Sequence, residues 1–465
     1  MSNKDSGKMV FKIVTSIFII IIESIIYWAW WNSYFNLVVA FPFWKRGIWL
    51  MVALYSIILL MFLKLYGGLK IGYLKKGNLI YSHLLSLIFT NIITYFQIAL
   101  IDRRFQSLIP IVLMTIFQSV VIVAWALITY YTYCKLYPPR RLILVYGKRS
   151  VFNLMEKIKD RSDKYKICET IDIGLGIDLV RAKIELYDGV IIGDLPAGIR
   201  NDILKYCYEK SIRSYTIPKI SDILLRNSDV LTLFDTPLLL NRNQILPIER
   251  RIWKRLVDIV VSIIGLILLW PVLFLCMIAI KLYDGGPVFY KQERLTLNGS
   301  IFQIYKFRSM IINAESNGTP RLARKGDERI TPIGRILRTT RLDELPQLFN
   351  IIKGDMSVVG PRPERPEIAA IYENEIPEFK FRLKVKAGLT GYAQIYGKYN
   401  TSPYDKLKLD MMYIEKLSLL LDLKLILMTP KILFMKESTE GIMGNTDKYF
   451  ERVKNIEEDN RIFKE

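Results

Sequence analysis

The chain has 465 residues and is 51% hydrophobic, with 27 Tyr, 22 Phe and 8 Trp. That is longer than one average domain and too apolar for a disordered chain; it is the composition of a membrane protein. The net charge of +21 is scattered, with no basic run and no nucleic-acid motif, which points to anionic lipid or phosphate-bearing substrates and away from nucleic acid.

Four apolar segments fill the first third, at roughly 13–31, 47–63, 79–101 and 108–133. Each approaches or exceeds the ~20 residues that cross a bilayer. The first is too long for a secretory signal and lacks its small-residue cleavage site. It is interrupted by Glu23, which is expected to face other helices. His83, the single histidine, lies inside an apolar segment and reads as a packing residue. Lysines and arginines concentrate at the N-terminus, in the 64–76 loop and at the exit near Arg140 and Arg141, so both ends of the bundle are expected on the cytoplasmic side.

Pro138 and Pro139 mark a boundary. Beyond them "RLILVYG" and "YDGVIIGDL" read as buried parallel strands, with "SVFNLMEKIKD" and "IRNDILKYCYEK" as intervening helices. This predicts a Rossmann-like α/β domain to about residue 245. "YGKRS" holds one glycine where a dinucleotide fingerprint needs three, so a structural or regulatory domain is the better reading. Cys134, Cys168, Cys207 and Cys276 are too far apart for a metal site or a disulfide framework.

Ile259–Ile280 is apolar and long enough to span, yet Pro271 stands at its middle and basic residues flank both ends. A helix that enters one leaflet, breaks at Pro271 and returns keeps both flanks inside; a kinked fifth span is the alternative. Further on, "GPVFYKQERL" and "IFQIYKFRSM" read as strands or turns, and 404–421 as an amphipathic helix. The 421–436 stretch suits either an interfacial helix or a core helix.

Chemistry concentrates in "RTTRLDELPQLFNIIKGDMSVVGPRP". Leu345, Leu348, Phe349 and Ile352 are spaced for one helical face, and Gly354 stops that helix. This puts Asp343 at the N-cap, where it is a cap with Glu344 complementing the dipole, or a nucleophile toward phosphorus beside a Mg²⁺-binding carboxylate. Arg335, Arg338 and Arg341 lie just upstream as a polyanion attractor or a solvated face. Arg362 stands between Pro361 and Pro363, a stiff setting for a guanidinium fork that matches phosphate. Lys306 and Arg308 fall on one side of an extended segment. "GLTGYAQIYGK" suits a loop that lets a ligand approach the backbone.

Together "VFYKQER", "YKFRSM", "DERITPIGRILRTTRLDELPQLFNIIKGDMSVVGPRPE", "GLTGYAQIYGK" and "YDKLKLDMMYI" resemble one family, the bacterial sugar transferases, or large monotopic phosphoglycosyl transferases. The motifs fall in family order over about 250–435. The resemblance implies a membrane protein with a four-helix transmembrane bundle at 10–135 and a Rossmann-like α/β domain at 140–245. A catalytic α+β domain follows at 250–436, with a Pro271-broken re-entrant helix at 256–282, and then a charged tail at 437–465. It implies transfer of sugar 1-phosphate, from a UDP-sugar such as UDP-glucose or UDP-galactose, to undecaprenyl phosphate at the cytoplasmic face of the bacterial inner membrane.

By the same resemblance Asp343 is the nucleophile, and Glu344 lies beside it and helps hold Mg²⁺. Arg362 binds the nucleotide, and Lys306 and Asp410 lie near the site. Arg308, Arg341, Pro361 and Pro363 fall in the same motifs and are expected to contribute to substrate binding. The loop departs from the family's frequent "WAQVNGR" at Tyr392, Ile395, Tyr396 and Lys398, which leaves the sugar open. The α/β domain, having no evident ligand, is a candidate for homodimerisation. A non-catalytic scaffold of a polysaccharide assembly complex has no need of the acid pair. A processive glycosyltransferase would need a larger nucleotide-sugar domain.

Overall fold

The computed structural model describes residues 3–147, 152–241, 247–312, 314, 327–398 and 401–433. They divide into two compact units, Met1–Ile217 and Pro218–Glu465.

In the first unit, helix α1 (Asn3–Trp30) runs through a π-helical turn at Trp31–Phe35 into the short α2 (Asn36–Val38). Helices α3 (Arg46–Tyr66), α4 (Lys76–Asp102) and α5 (Ile109–Leu136) follow. Four helical segments here are long and apolar enough to cross a membrane, with many apolar side chains facing outward. Inside, Tyr27 stacks on Tyr55 at 4.2 Å. Some polar groups of the interior satisfy one another: Tyr55, Asn91 and Gln118 form a ring of hydrogen bonds of 2.8–3.1 Å. Glu23 is buried among the helices, as its position inside an apolar segment requires. His83 is buried too, with Nε2 3.1 Å from the Gly68 carbonyl and its ring against Trp125, which is a packing role.

The same unit holds a four-stranded parallel sheet in the order β2-β1-β3-β4. Its strands are β1 (Arg140–Tyr146), β2 (Tyr165–Asp172), β3 (Gly189–Ile192) and β4 (Arg213–Thr216). Alternation along β1 sends Leu142 and Leu144 to one face, against Leu154, Met155 and Ile158 of α6 (Phe152–Lys159). Ile143 and Val145 go to the other face, against Val180 and Ile184 of α7 (Ile177–Ile184) and Ile203 of α8 (Ala197–Glu209). Strands covered on both faces read as continuous apolar runs, and that is why "RLILVYG" and "YDGVIIGDL" were recognisable. Residues 148–150 of "YGKRS" and the 437–465 tail lie outside the described residues.

The second unit begins earlier than the motifs suggest. Helix α9 (Ile220–Arg226) buries Ile220 and Ile223 in the same core as Leu348, Met411 and Ile414. The sequence boundary near 245 assigns this helix to the α/β domain. An exposed hairpin, β5 (Asp229–Leu233) and β6 (Thr236–Leu240), precedes α10 (Ile248–Asp284).

Helix α10 is one helix of 37 residues that contains Pro271. The expected helix–break–helix is therefore not seen as a break: the proline withholds one backbone donor and the helix continues around it. One face of α10 packs on the unit, and the other is an apolar stripe from Ile252 to Leu282, with Ile267, Leu268, Trp270 and Leu275 all more than 60% exposed.

The hairpin β7 (Phe289–Leu295) and β8 (Ile301–Phe307) leads to α11 (Pro332–Thr340) and α12 (Gln347–Lys353). Strand β9 (Ser357–Val359) pairs in parallel with β10 (Gly388–Thr390), with α13 (Pro366–Glu375) between them in sequence. The short helix α14 (Tyr392–Tyr396) makes most of "GLTGYAQIYGK" a strand and a helix, not a loop. The 404–421 stretch is two helices, α15 (Pro403–Ile414) and α16 (Leu419–Leu433), separated by a turn. Leu425 is fully buried while Leu420 and Leu423 are exposed, so α16 has both a core face and an outward apolar one.

Candidate active site

Asp343 is not an N-cap. It lies in a 3₁₀ turn, Leu342–Glu344, between α11 and α12, and Pro346 precedes the first residue of α12. Arg341 makes the turn possible by adopting a left-handed backbone (φ 56°), which ends α11. The face of α12 that enters the core carries Gln347, Leu348 and Ile351, whereas Phe349 is exposed. Gly354 ends the helix with φ 104°, as its position suggested.

Three chain segments converge on Glu344. The guanidinium of Arg362 engages both carboxylate oxygens, at 2.5 and 3.3 Å, in the bidentate geometry that suits this pair. Lys306 Nζ, from β8, donates to Oε1 at 3.2 Å. Asp343 is buried beside them, and no hydrogen bond reaches its carboxylate among the described residues. The two acids therefore titrate differently. Burial alone would raise Glu344, but Arg362 and Lys306 outweigh it and hold this carboxyl well below the usual range. Burial pushes Asp343 up to about 6, and the Glu344 charge adds to the effect against Lys306, Arg338 and Arg362. Burial lowers Lys306, with Glu344 opposing. Arg341 lies within electrostatic reach of both acids and is also lowered by burial.

Not every residue singled out from the sequence joins this group. Pro361 and Pro363 flank Arg362 and are buried. Arg308 does not reach the pair; β8 ends at Phe307, and Arg308 turns away to an ion pair with Asp284 at the end of α10. Asp410 stands behind the site, bound to Arg382 at 2.9 Å, and burial pushes it up to about 6 against that partner. Pro271 is not at the pair. Its neighbours Val272 and Leu273 share an apolar cluster with Leu342 and Leu345, which flank the two acids.

Asn350 also builds the site and was not singled out from the sequence. The Asn350 side chain is fully buried and clasps the edge of β8: Oδ1 accepts from Tyr305 N at 2.9 Å and Nδ2 donates to Gln303 O at 2.8 Å. It thereby fixes the strand that carries Lys306 against the helix that follows Glu344. The glycines of "GLTG" admit the chain's own backbone. A Cβ on Gly388 would meet Gly360 N at 2.0 Å, and one on Gly391 would meet Gly360 O at 2.1 Å.

Among the described residues no group of three Asp, Glu, His or Cys side chains converges as a closed metal cage. A buried carboxylate without a hydrogen-bond partner beside a second carboxylate does fit Mg²⁺, which commonly takes one or two protein carboxylates and completes its shell with water and phosphate oxygens.

A family model described as bacterial sugar transferase matches residues 249–436. A Klebsiella pneumoniae UDP-glucose:undecaprenyl-phosphate glucose-1-phosphate transferase is 36% identical over 258 residues, 54% of each chain. An Aeromonas hydrophila UDP-N-acetylgalactosamine-undecaprenyl-phosphate N-acetylgalactosaminephosphotransferase is 36% identical over 250 residues, 52% of this chain and 58% of that one. A Caulobacter vibrioides UDP-glucose:undecaprenyl-phosphate glucose-1-phosphate transferase is 40% identical over 181 residues, 38% of this chain and 67% of the relative. The matches thus span about half the length of the first two relatives. The chain belongs to the bacterial sugar transferase family.

Proposed function

We propose that this chain transfers a sugar 1-phosphate from a UDP-sugar to undecaprenyl phosphate, starting a bacterial surface polysaccharide. The observation that carries the reading is the unequal acid pair. Glu344 is paired with Arg362 and Lys306, while Asp343 is buried, accepts no hydrogen bond among the described residues, and is raised by burial to about 6.

Asp343, deprotonated, attacks the sugar-linked phosphorus of the donor. The bond to the bridging oxygen breaks, and UMP leaves with the electron pair. The lipid phosphate oxygen then attacks the same phosphorus and displaces the Asp343 carboxylate, giving a lipid diphosphosugar. Splitting one displacement into two lowers each barrier. Arg362 meets the nucleotide phosphate, and Lys306 adds charge where phosphoryl oxygens accumulate it. Mg²⁺ held by Asp343 and Glu344 would neutralise donor phosphate charge. The relatives reported above are named for transfer of glucose or N-acetylgalactosamine phosphate, so glucose, galactose and N-acetylhexosamine donors are the panel to test.

The lipid acceptor calls for a site at a membrane surface. Both ends of α10 pack on the same unit: Lys254 Nζ bonds Asp422 at 2.6 Å near the start, and Asp284 pairs with Arg308 at the end. A helix tied at both ends to one cytoplasmic body does not deliver an end to the far side. This supports an unbroken α10 that lies against one membrane face rather than crossing it.

The test is UMP release by the full chain with undecaprenyl phosphate, Mg²⁺ and the donor panel, beside Asp343→Asn. Release with one donor, absent in the variant, supports the reading. Full activity in the variant, or silence with every donor, sinks it.

A further inference from the structure

Arg362 is held by its main chain in an unusual way. Its neighbours Pro361 and Pro363 have no N–H to give, so the turn must be fixed through its carbonyls. Four consecutive carbonyls accept. Pro361 O takes Gly388 N at 2.9 Å, and Glu364 O takes Leu295 N at 3.0 Å. Between them, two arginine side chains act as the donors: Arg382 Nη2 reaches Arg362 O at 2.9 Å, and Arg294 Nη1 reaches Pro363 O at 3.1 Å.

Arg382 is the more deeply committed of the two. It is 4% exposed, lies over the Phe379 ring at 4.9 Å, and pairs with Asp410 at 2.9 Å and Glu364 at 3.5 Å. A buried guanidinium with two carboxylates is already satisfied in charge. Spending a further N–H on a main-chain carbonyl serves placement. The carbonyl belongs to the residue whose side chain forks onto Glu344.

Resting on the function proposed above, we infer that Arg382, oriented by Asp410, is a positioning residue that sets the Arg362 guanidinium for the donor's nucleotide diphosphate. Asp410 then acts through Arg382 and touches no reacting atom. Lysine in place of Arg382 keeps a charge for Asp410 and Glu364 but loses the planar guanidinium whose Nη2 serves both Asp410 and the Arg362 carbonyl.

The test is a double-mutant cycle on UDP affinity, measured by titration calorimetry on the detergent-solubilised full chain, which needs no turnover. The proteins are wild type, Arg382→Lys, Arg362→Lys and the double variant, each checked for an unchanged unfolding midpoint. We expect each single change to weaken UDP roughly tenfold and the double to bind no worse than Arg362→Lys, because the two act through one guanidinium. Wild-type UDP affinity in Arg382→Lys overturns the inference. So does additivity, with the double weakened roughly a hundredfold, and so does a wild-type chain that does not bind UDP. In the donor assay Arg382→Lys raises KM with kcat within about threefold; a kcat loss at constant KM also overturns it. A coupled cycle with no UMP release under any condition would leave Arg382 as the positioner of Arg362 and refute the transferase reading alone.

Discussion

Replacing Asp343 with Asn is expected to abolish turnover and, at neutral pH, to stabilise the protein. The carboxyl is 8% exposed and raised from 3.8 to about 6, chiefly by burial. Its folded-state value lies above the unfolded one, so its favourable contribution is complete below pH 3.8 and is lost as pH rises through 6. At 1.36 kcal/mol per pKa unit, ionised Asp343 costs the folded state about 3 kcal/mol at pH 7.5, and about half that at pH 5. Asparagine keeps the shape and does not ionise. At roughly 2–4 °C per kcal/mol for a domain of this size, Asp343→Asn should unfold several degrees above wild type at pH 7.5. The gap should narrow by about half at pH 5. Scanning calorimetry of both proteins in the same detergent measures it. A variant less stable than wild type at pH 7.5, or a gap indifferent to pH, would refute the assignment of a buried carboxylate with a raised pKa to this position.

Four further outcomes follow from the geometry. On the proposed mechanism Asp343 attacks only when deprotonated, so the rate of UMP release under low-donor conditions should fall as pH drops through about 6; a flat profile between pH 5 and 7.5 would exclude Asp343 as the titrating group. Asn350→Ala removes two buried hydrogen bonds to β8 and should cost roughly 2–4 kcal/mol in urea unfolding. Gly360→Ala puts a Cβ 2.3 Å from Lys386 O and 2.9 Å from Gly388 N, and should destabilise by about 1–3 kcal/mol and weaken UDP binding; unchanged stability would mean the β9–β10 approach is looser than described. In a cysteine-free background, single cysteines at exposed Ile248 and Tyr283 should both resist a membrane-impermeant maleimide in spheroplasts and both react in inverted vesicles; labelling of one end from outside would show that α10 crosses.

The sequence was most informative where burial imposes periodicity. The four apolar helices and the runs "RLILVYG" and "YDGVIIGDL" declare themselves because each is covered by apolar neighbours. The acid pair and the arginine between prolines were visible because their residue types are costly to bury and lie close together in sequence, and Lys306 because it stands in a motif of the same family. Arg308 misled because alternation holds only while the strand lasts, and the strand ends one residue earlier. Asp343 misled because a left-handed Arg341 makes room for a 3₁₀ turn, and nothing in the letters requires that of an arginine. Arg382, Arg294 and Asn350 stayed hidden for another reason: their work is done on main-chain carbonyls and amides, and one more arginine in "FKFRLKVK" looks like solvated charge.

The attachments of the site to α10 explain why the site and the apolar helix share one unit. The arm that carries Arg362 leaves β9, and every residue of β9 bonds to α10: Ser357 Oγ and Val358 N donate to Asp258 at 2.9 Å each, and Lys254 Nζ donates to Val359 O at 3.1 Å. The arm that carries Lys306 is tied two residues later by Arg308 to Asp284. The turn that carries the acid pair rests through Leu342 and Leu345 on the cluster around Leu273. Each of the three segments that meet at Glu344 thus has its own attachment to α10, near its start, middle and end. Arg308, which no longer reads as a substrate ligand, takes its place here as a strut. A helix so attached moves all three arms together or none, so on the function proposed above the depth of α10 in a membrane would set where the phosphoryl group is delivered without distorting the geometry around Glu344.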